Sequence, residues 1–147
     1  MKKNSSLKAQ KGVGLIEVLV SMLILSICLL GMAALQSVAL RNGQSAQSRS
    51  MAGIMSNSIT DAMRANITAA RSGAYNSSTC ALGEGTGSSL ADADIMTWIS
   101  SLKRSIGQSA CGTVLCQAGQ CDITVQWDDS RANAGSSAHS VTTRVQL

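Results

Sequence analysis

From Val18 to Leu40 the chain runs VLVSMLILSICLLGMAALQSVAL, 23 residues without a charge. At about 1.5 Å per helical residue this stretch crosses a hydrocarbon core of about 30 Å. A cleaved secretory signal has a shorter apolar stretch, about 7 to 15 residues. Past Leu40 the polarity changes but the helical period continues: Met51, Met55, Ile59, Met63 and Ile67 recur every four residues, with Ile54 and Ala62 beside them. That spacing predicts an amphipathic helix, and methionines at helical spacing read as core packing rather than as a metal or peptide surface. The simplest expectation is one helix from about Val13 to Arg71, its second half against a globular head. Gly31, Gly43 and Gly53 weaken it by about 1 kcal/mol each relative to Ala.

Residues 72–89, SGAYNSSTCALGEGTGSS, read as an irregular, exposed connection because they are rich in Gly and Ser. Ser89 then suits the cap of a short helix from Leu90 to Ile106, with Asp92 and Asp94 near its positive end, Lys103 and Arg104 near its negative end, and Gly107 as the stop. Ile95, Trp98, Ile99, Leu102 and Ile106 form its apolar stripe. From Gly112 the period changes to two. Ile123, Val125 and Trp127 alternate with Asp122, Thr124 and Gln126, and Val141, Thr143, Val145 and Leu147 alternate with Thr142, Arg144 and Gln146. These are half-buried strands. Thr113 to Cys116 is a partner strand, joined to the next by Gln117-Ala118-Gly119-Gln120. The fold class is α+β: a long N-terminal hydrophobic helix packed on a small antiparallel sheet.

Charge sharpens this picture by its position. Lys and Arg total 12 against 8 Asp and Glu, a formal +4. Lys2, Lys3, Lys8 and Lys11 supply that excess within the first dozen residues, and the rest of the chain is balanced. Basic residues before an apolar span favour a cytoplasmic amino end and a single pass outward. Phe and Pro are absent, and Tyr75, Trp98 and Trp127 are the only aromatics. Base stacking has almost nothing to work with, and Lys103-Arg104 is the sole adjacent basic pair, so nucleic acid is disfavoured as a partner.

Of the five cysteines, Cys28 falls in the apolar run and reads as a small apolar filler. Cys80, Cys111, Cys116 and Cys121 lie in the head, where an oxidising compartment permits two disulfides. Three connectivities are possible; Cys116 with Cys121 across the hairpin and Cys80 with Cys111 is the preferred one. Zinc is the competing reading, but the gaps between 111, 116 and 121 are looser than a CxxC pair and His139 is the one histidine. Enzyme signatures are missing: His139 sits among serines and reads as an exposed loop or strand-start residue, no nucleophile elbow surrounds any serine, and GEGTG lacks the lysine and the strand-to-helix setting of a phosphate loop. Asp92 with Asp94 and Asp128 with Asp129 read as helix-start and turn acids rather than calcium ligands. Asn66-Ile67-Thr68 fits a glycosylation triplet but falls in a helical stretch. No cofactor or metal is expected.

Glu17 stands at the leading edge of the apolar run, where a carboxylate costs a few kcal/mol unless it reaches water or finds a partner. Its context is Lys11-Gly12-Val13-Gly14-Leu15-Ile16-Glu17-Val18-Leu19-Val20. That stretch resembles the type IV prepilin signal: a basic leader ending in Gly, an apolar residue, and Glu five positions into a hydrophobic helix. Two departures are Val13, where Phe is commonest, and Gly14, where Thr or Ser is frequent. The resemblance implies cleavage between Gly12 and Val13 by a prepilin peptidase, methylation of the new Val13 amine, and pairing of Glu17 with that amine on a neighbouring subunit. It also implies the pilin fold, divided into a cleaved leader 1–12, an assembly helix 13–40, its amphipathic continuation 41–71 and a periplasmic head 72–147. The continuation LIEVLVSMLILSICLLGMAALQ is most similar to minor pilins of the PilV type, the type IV pilus modification proteins. Implied partners are other major and minor pilins, the inner membrane and the pilus assembly machinery. A pseudopilin of type II secretion shares these features. An adhesin or DNA-uptake pilin and a membrane-anchored periplasmic enzyme are the readings from other classes.

Overall fold

The structure is a computed structural model and describes residues 12, 14–78 and 88–147. Its elements in chain order are α1 (Leu15–Ala65), α2 (Ile67–Arg71), α3 (Leu90–Ser105), β1 (Cys111–Gln117), β2 (Gln120–Trp127) and β3 (His139–Gln146). The chain divides after Val38 into two units.

In the first unit every described residue of α1 is exposed, including Leu19, Leu23, Leu30 and Leu35. By length and composition this apolar stretch can cross a membrane. Two serines within it are no obstacle. Ser21 donates to the Glu17 carbonyl at 2.7 Å and Ser26 to the Met22 carbonyl at 2.8 Å, so each hydroxyl is satisfied inside the helix.

The second unit holds the core. From α1 it takes Ala52, Ile59 and Met63; from α3, Ala91, Trp98, Ile99 and Leu102; from β1 and β2, Val114, Cys116, Cys121, Ile123, Val125 and Trp127. The buried stripe of α1 differs from the methionine stripe expected from its four-residue spacing. Ser56 and Thr60 are buried while Met51 and Met55 are half-buried and Ile54 is exposed. The two hydroxyls donate to the carbonyls of Ala52 and Ser56, respectively, which removes the polar penalty and leaves two small side chains facing the core.

The helix also ends earlier than expected. Asn66 leaves the helical region at φ −124° and ψ 54°, separating α1 from the five-residue α2, so Ile67 falls off the stripe and is exposed. Beyond α2, Gly73 at φ +83° closes a Schellman turn: its N–H reaches the Ala70 carbonyl and that of Ala74 the Ala69 carbonyl.

Residues 74–78 follow the expected exposed connection only in part: Ala74, Asn76 and Ser78 are exposed, but two residues between them are not. Tyr75 is fully buried, and Ser77 pairs with Val114 through two backbone hydrogen bonds of 2.9 Å each. Asn76 accepts from the Cys116 N–H at 2.7 Å. Together these residues cover the outer edge of β1, which would otherwise present unpaired backbone groups. The expected disulfide partner Cys80 lies outside the described residues.

α3 starts as its sequence predicts. Ser89 and Asp92 exchange side-chain and backbone hydrogen bonds in a capping box, with Asp92 near the positive end of the helix. Its Trp98 indole donates to the Met55 carbonyl of α1 at 2.8 Å. The Trp98 ring lies over Gly112, where an added Cβ would sit 2.4 Å from two ring atoms. Gly112 is therefore required by the close approach of α3 to β1.

The sheet is antiparallel in the order β1-β2-β3. A two-residue turn joins β1 to β2, with Ala118 at φ 50° and Gly119 at φ 80°, the primed geometry whose twist matches that of the strands. Central β2 buries Cys121, Ile123, Val125 and Trp127, whereas edge strand β3 only half-buries Val141, Thr143 and Val145.

Candidate functional site

The site that sequence singles out lies at the start of α1. Gly12 is exposed, and a Cβ placed on it would meet nothing within 4 Å. Val13 and the leader lysines lie outside the described residues. The helix begins where the Gly14 carbonyl accepts from the N–H groups of Glu17 at 3.0 Å and Val18 at 3.3 Å. Glu17 thus falls in the first helical turn, where its carboxylate opposes the positive end of the helix dipole. It is exposed among Leu15, Ile16 and Leu19, and among the described residues it forms no ion pair within this chain. A carboxylate so placed, on an apolar surface, is suited to meeting a cation supplied by another molecule.

Cys116 and Cys121 form a disulfide. They face each other in the register one pair inside the turn, which for a two-residue hairpin is a non-hydrogen-bonded pair with closely approaching Cα atoms. Cys111 is also disulfide-bonded, and Cys28 is a free, exposed thiol within the apolar run.

The remaining candidates resolve into structural contacts. Asp92 serves the capping box, and Asp94 accepts the Tyr75 hydroxyl at 2.6 Å. Burial, reinforced by that bond to Asp94, raises the Tyr75 phenol above its usual range. Ser130 donates its side chain and its amide to Asp128, holding that carboxylate below the usual range. Asp129 accepts from Ser45 at 2.6 Å, a contact between residues 84 apart in sequence. His139 opens β3 with its ring edge-on to Trp127 at 5.0 Å. Among the described residues no three His, Cys, Asp or Glu side chains converge as a metal site. Asn66, the first residue of the glycosylation triplet, sits at the break between α1 and α2.

Sequence reasoning missed the Ser45–Asp129 and Tyr75–Asp94 contacts. No local signal announces either, since each joins distant segments through one hydrogen bond. One further pair lies on the exposed sheet face. The Arg144 guanidinium donates to both carboxylate oxygens of Asp122, at 2.7 and 2.9 Å, and these hydrogen bonds hold the Asp122 carboxyl below the usual carboxylate range.

Residues 7–33 match the family model described as the prokaryotic N-terminal methylation motif. No curated protein and no solved structure matches the chain. The matched segment contains Gly12, Val13 and Glu17 and runs into the apolar half of α1. With the long helix packed through its second half on a three-stranded antiparallel sheet, it supports a protein of the type IV pilin-like class, processed by a prepilin peptidase. Such a helix fits anchoring in the inner membrane before assembly.

Proposed function

We propose that this protein is a minor pilin that takes part in type IV pilus assembly, by priming the filament or displaying its head near the tip, and that its relatives are the PilV-type pilins. The carrying observation is Glu17 in the first turn of an exposed apolar helix, four residues past Val13, inside the matched methylation motif. Cleavage between Gly12 and Val13 removes the basic leader, and methylation modifies the new amine. Glu17 then pairs with the Val13 amine of a neighbouring pilin. Each charge is costly in an apolar filament core, and pairing offsets that cost. Before assembly the helix spans the inner membrane with the head in the periplasm; afterwards it packs among equally apolar helices. Its action is association rather than chemistry.

Glu17→Ala tests the pairing. The variant is expected to be processed and membrane-held yet depleted at least tenfold from sheared pili, an order of magnitude set by about 1.4 kcal/mol or more of lost pairing. Normal incorporation would remove Glu17 from the mechanism. A type II secretion pseudopilin is the second reading, since the same motif serves both. Recovery of the wild-type chain from pili, against recovery only with a secretion pseudopilus, separates the two.

The same reading includes a second disulfide, Cys80 with Cys111. It is supported by Cys111 being oxidised while Cys116 and Cys121 pair with each other and Cys28 is a free thiol. Nonreducing mass spectrometry of a protease digest would show one peptide joining Cys80 to Cys111; a free Cys80 thiol would end the assignment.

A further inference from the structure

Between its apolar run and its core stretch, α1 passes through a segment that resembles neither. Residues 41–50 read RNGQSAQSRS, with no large apolar side chain, and Ser45 is the only buried residue among them. Asn42, Gly43, Ser48 and Ser50 are weaker helix formers than the Leu, Met and Ala residues of the turns before them. A helical segment that is polar on every face depends on ion pairs along its surface or on its neighbours. Both supports are thin here. Among the described residues neither Arg41 nor Arg49 forms an ion pair. Toward the β2–β3 loop the segment borders a groove of about 650 Å³, lined by Arg41, Gln44 and Ser48 together with Asp128, Asp129 and Arg131.

Among the described residues one side-chain hydrogen bond ties this segment to the rest of the head: Ser45 donates to Asp129 at 2.6 Å. The acceptor is held by its own loop. The Asp129 N–H donates to the Ser136 carbonyl and the Asp129 carbonyl accepts from the Ala132 N–H, each at 2.9 Å, and Gly135 lies so close to that carbonyl that no Cβ fits. What yields when this bond breaks is therefore the helix. Past it, α1 is anchored by the buried residues from Ala52 to Met63 and by the Trp98 indole on the Met55 carbonyl.

We infer that residues 41–50 form a hinge in α1, which opens by local unfolding while the helix on both sides stays formed, and that the Ser45–Asp129 hydrogen bond is the latch that closes it. Local opening is favoured where backbone hydrogen bonds face solvent and few buried contacts hold them, and sharp helix bends concentrate at Gly and Ser. Gly43 fits that use. A Cβ placed on it would meet nothing within 4 Å, so packing does not require glycine there, and its effect is to weaken the helix. Opening lets the apolar run change direction without disturbing the packing at residues 52–63.

Amide hydrogen exchange of the full-length chain in detergent micelles, followed over a denaturant series, tests the hinge. Three zones are expected along α1: slow exchange at residues 20–38, sheltered in the micelle, exchange about tenfold faster or more at 41–50, and slow exchange again at 52–63. Exchange at 41–50 should depend weakly on denaturant, because local opening exposes little surface, and exchange at 52–63 steeply. Gly43→Ala should slow exchange at 41–50 about fivefold, the ratio set by the two helix propensities. Ser45→Ala should speed it about tenfold, the scale of a hydrogen bond to a charged group. Equal rates and equal denaturant dependence at 41–50 and 52–63 overturn the hinge. Exchange at 20–38 as fast as at 41–50 also overturns it, since α1 then frays from its end. An unchanged rate at 41–50 in Ser45→Ala overturns the latch.

Discussion

Within α1, two stretches of one helix live by different rules. From Leu15 to Leu40 no side chain is buried, whereas between Ala52 and Met63 five residues are: Ala52, Ser56, Ile59, Thr60 and Met63. The first stretch carries the larger side chains and the greater hydropathy, yet none of the described residues covers it. Its apolar surface has value only against lipid or other helices. The second stretch is less apolar and is nonetheless core, because small residues with satisfied hydroxyls let the head approach closely. Hydrophobicity thus marks the stretch of α1 that stays exposed, and shape marks where α1 meets its own head.

The sharpest way to break this comparison is a matched pair of truncations. Ile59→Ala should cost the head about 2 to 5 kcal/mol in denaturant unfolding, the usual range for a buried Ile. Leu25→Ala, at a position 61% exposed, should leave head unfolding unchanged and weaken only membrane retention or assembly. Equal losses in head stability would mean that the two stretches are not independent.

A smaller effect is expected within the head. Replacing Cys116 and Cys121 together by Ser should cost about 2 kcal/mol, the low end for disulfides because the closed loop is short. A transition at the wild-type midpoint would show that the hairpin holds itself without the bond. Smaller still, Ala118→Asn should stabilise by about 0.5 to 1 kcal/mol, since Ala118 occupies a positive φ that Asn accepts more readily. Loss of stability there would contradict the primed turn.

The smallest effect is one of pH. Arg144 depresses the Asp122 pKa in the folded state, so this pair's contribution is present above the unfolded carboxylate value of about 3.9 and is lost as pH falls through the lower folded value. Asp122→Asn should remove that part of the acid sensitivity; an unchanged stability profile below about pH 4 would show that solvent screens the pair completely.

Local patterns were legible wherever one segment supplies its own reasons. The Ser89 cap with Asp92 and the alternation through Ile123, Val125 and Trp127 appear in the structure, and the expected loop Gln117-Ala118-Gly119-Gln120 tightens to a turn of Ala118 and Gly119. Three expectations shifted. Ser56 and Thr60 entered the stripe, Asn66 interrupted the helix, and Tyr75 became core. Ser56 and Thr60 satisfy their hydroxyls on carbonyls four residues back in α1, and Tyr75 finds Asp94 on α3; a count of apolar positions registers neither.

By itself the sequence determined that Gly12 and Glu17 bracket the start of a long apolar helix, because a charge and a helix period are properties of neighbouring residues. It also determined the pairing of a hairpin, since a loop as short as Gln117-Ala118-Gly119-Gln120 joins antiparallel neighbours; that the turn itself is only Ala118-Gly119 came from the structure. Only the tertiary structure decided that Ser45 meets Asp129, that Trp98 needs Gly112, and that Arg41 and Arg131 line one groove. Those meetings depend on the packing of segments far apart along the chain, and no local period encodes a distance through space.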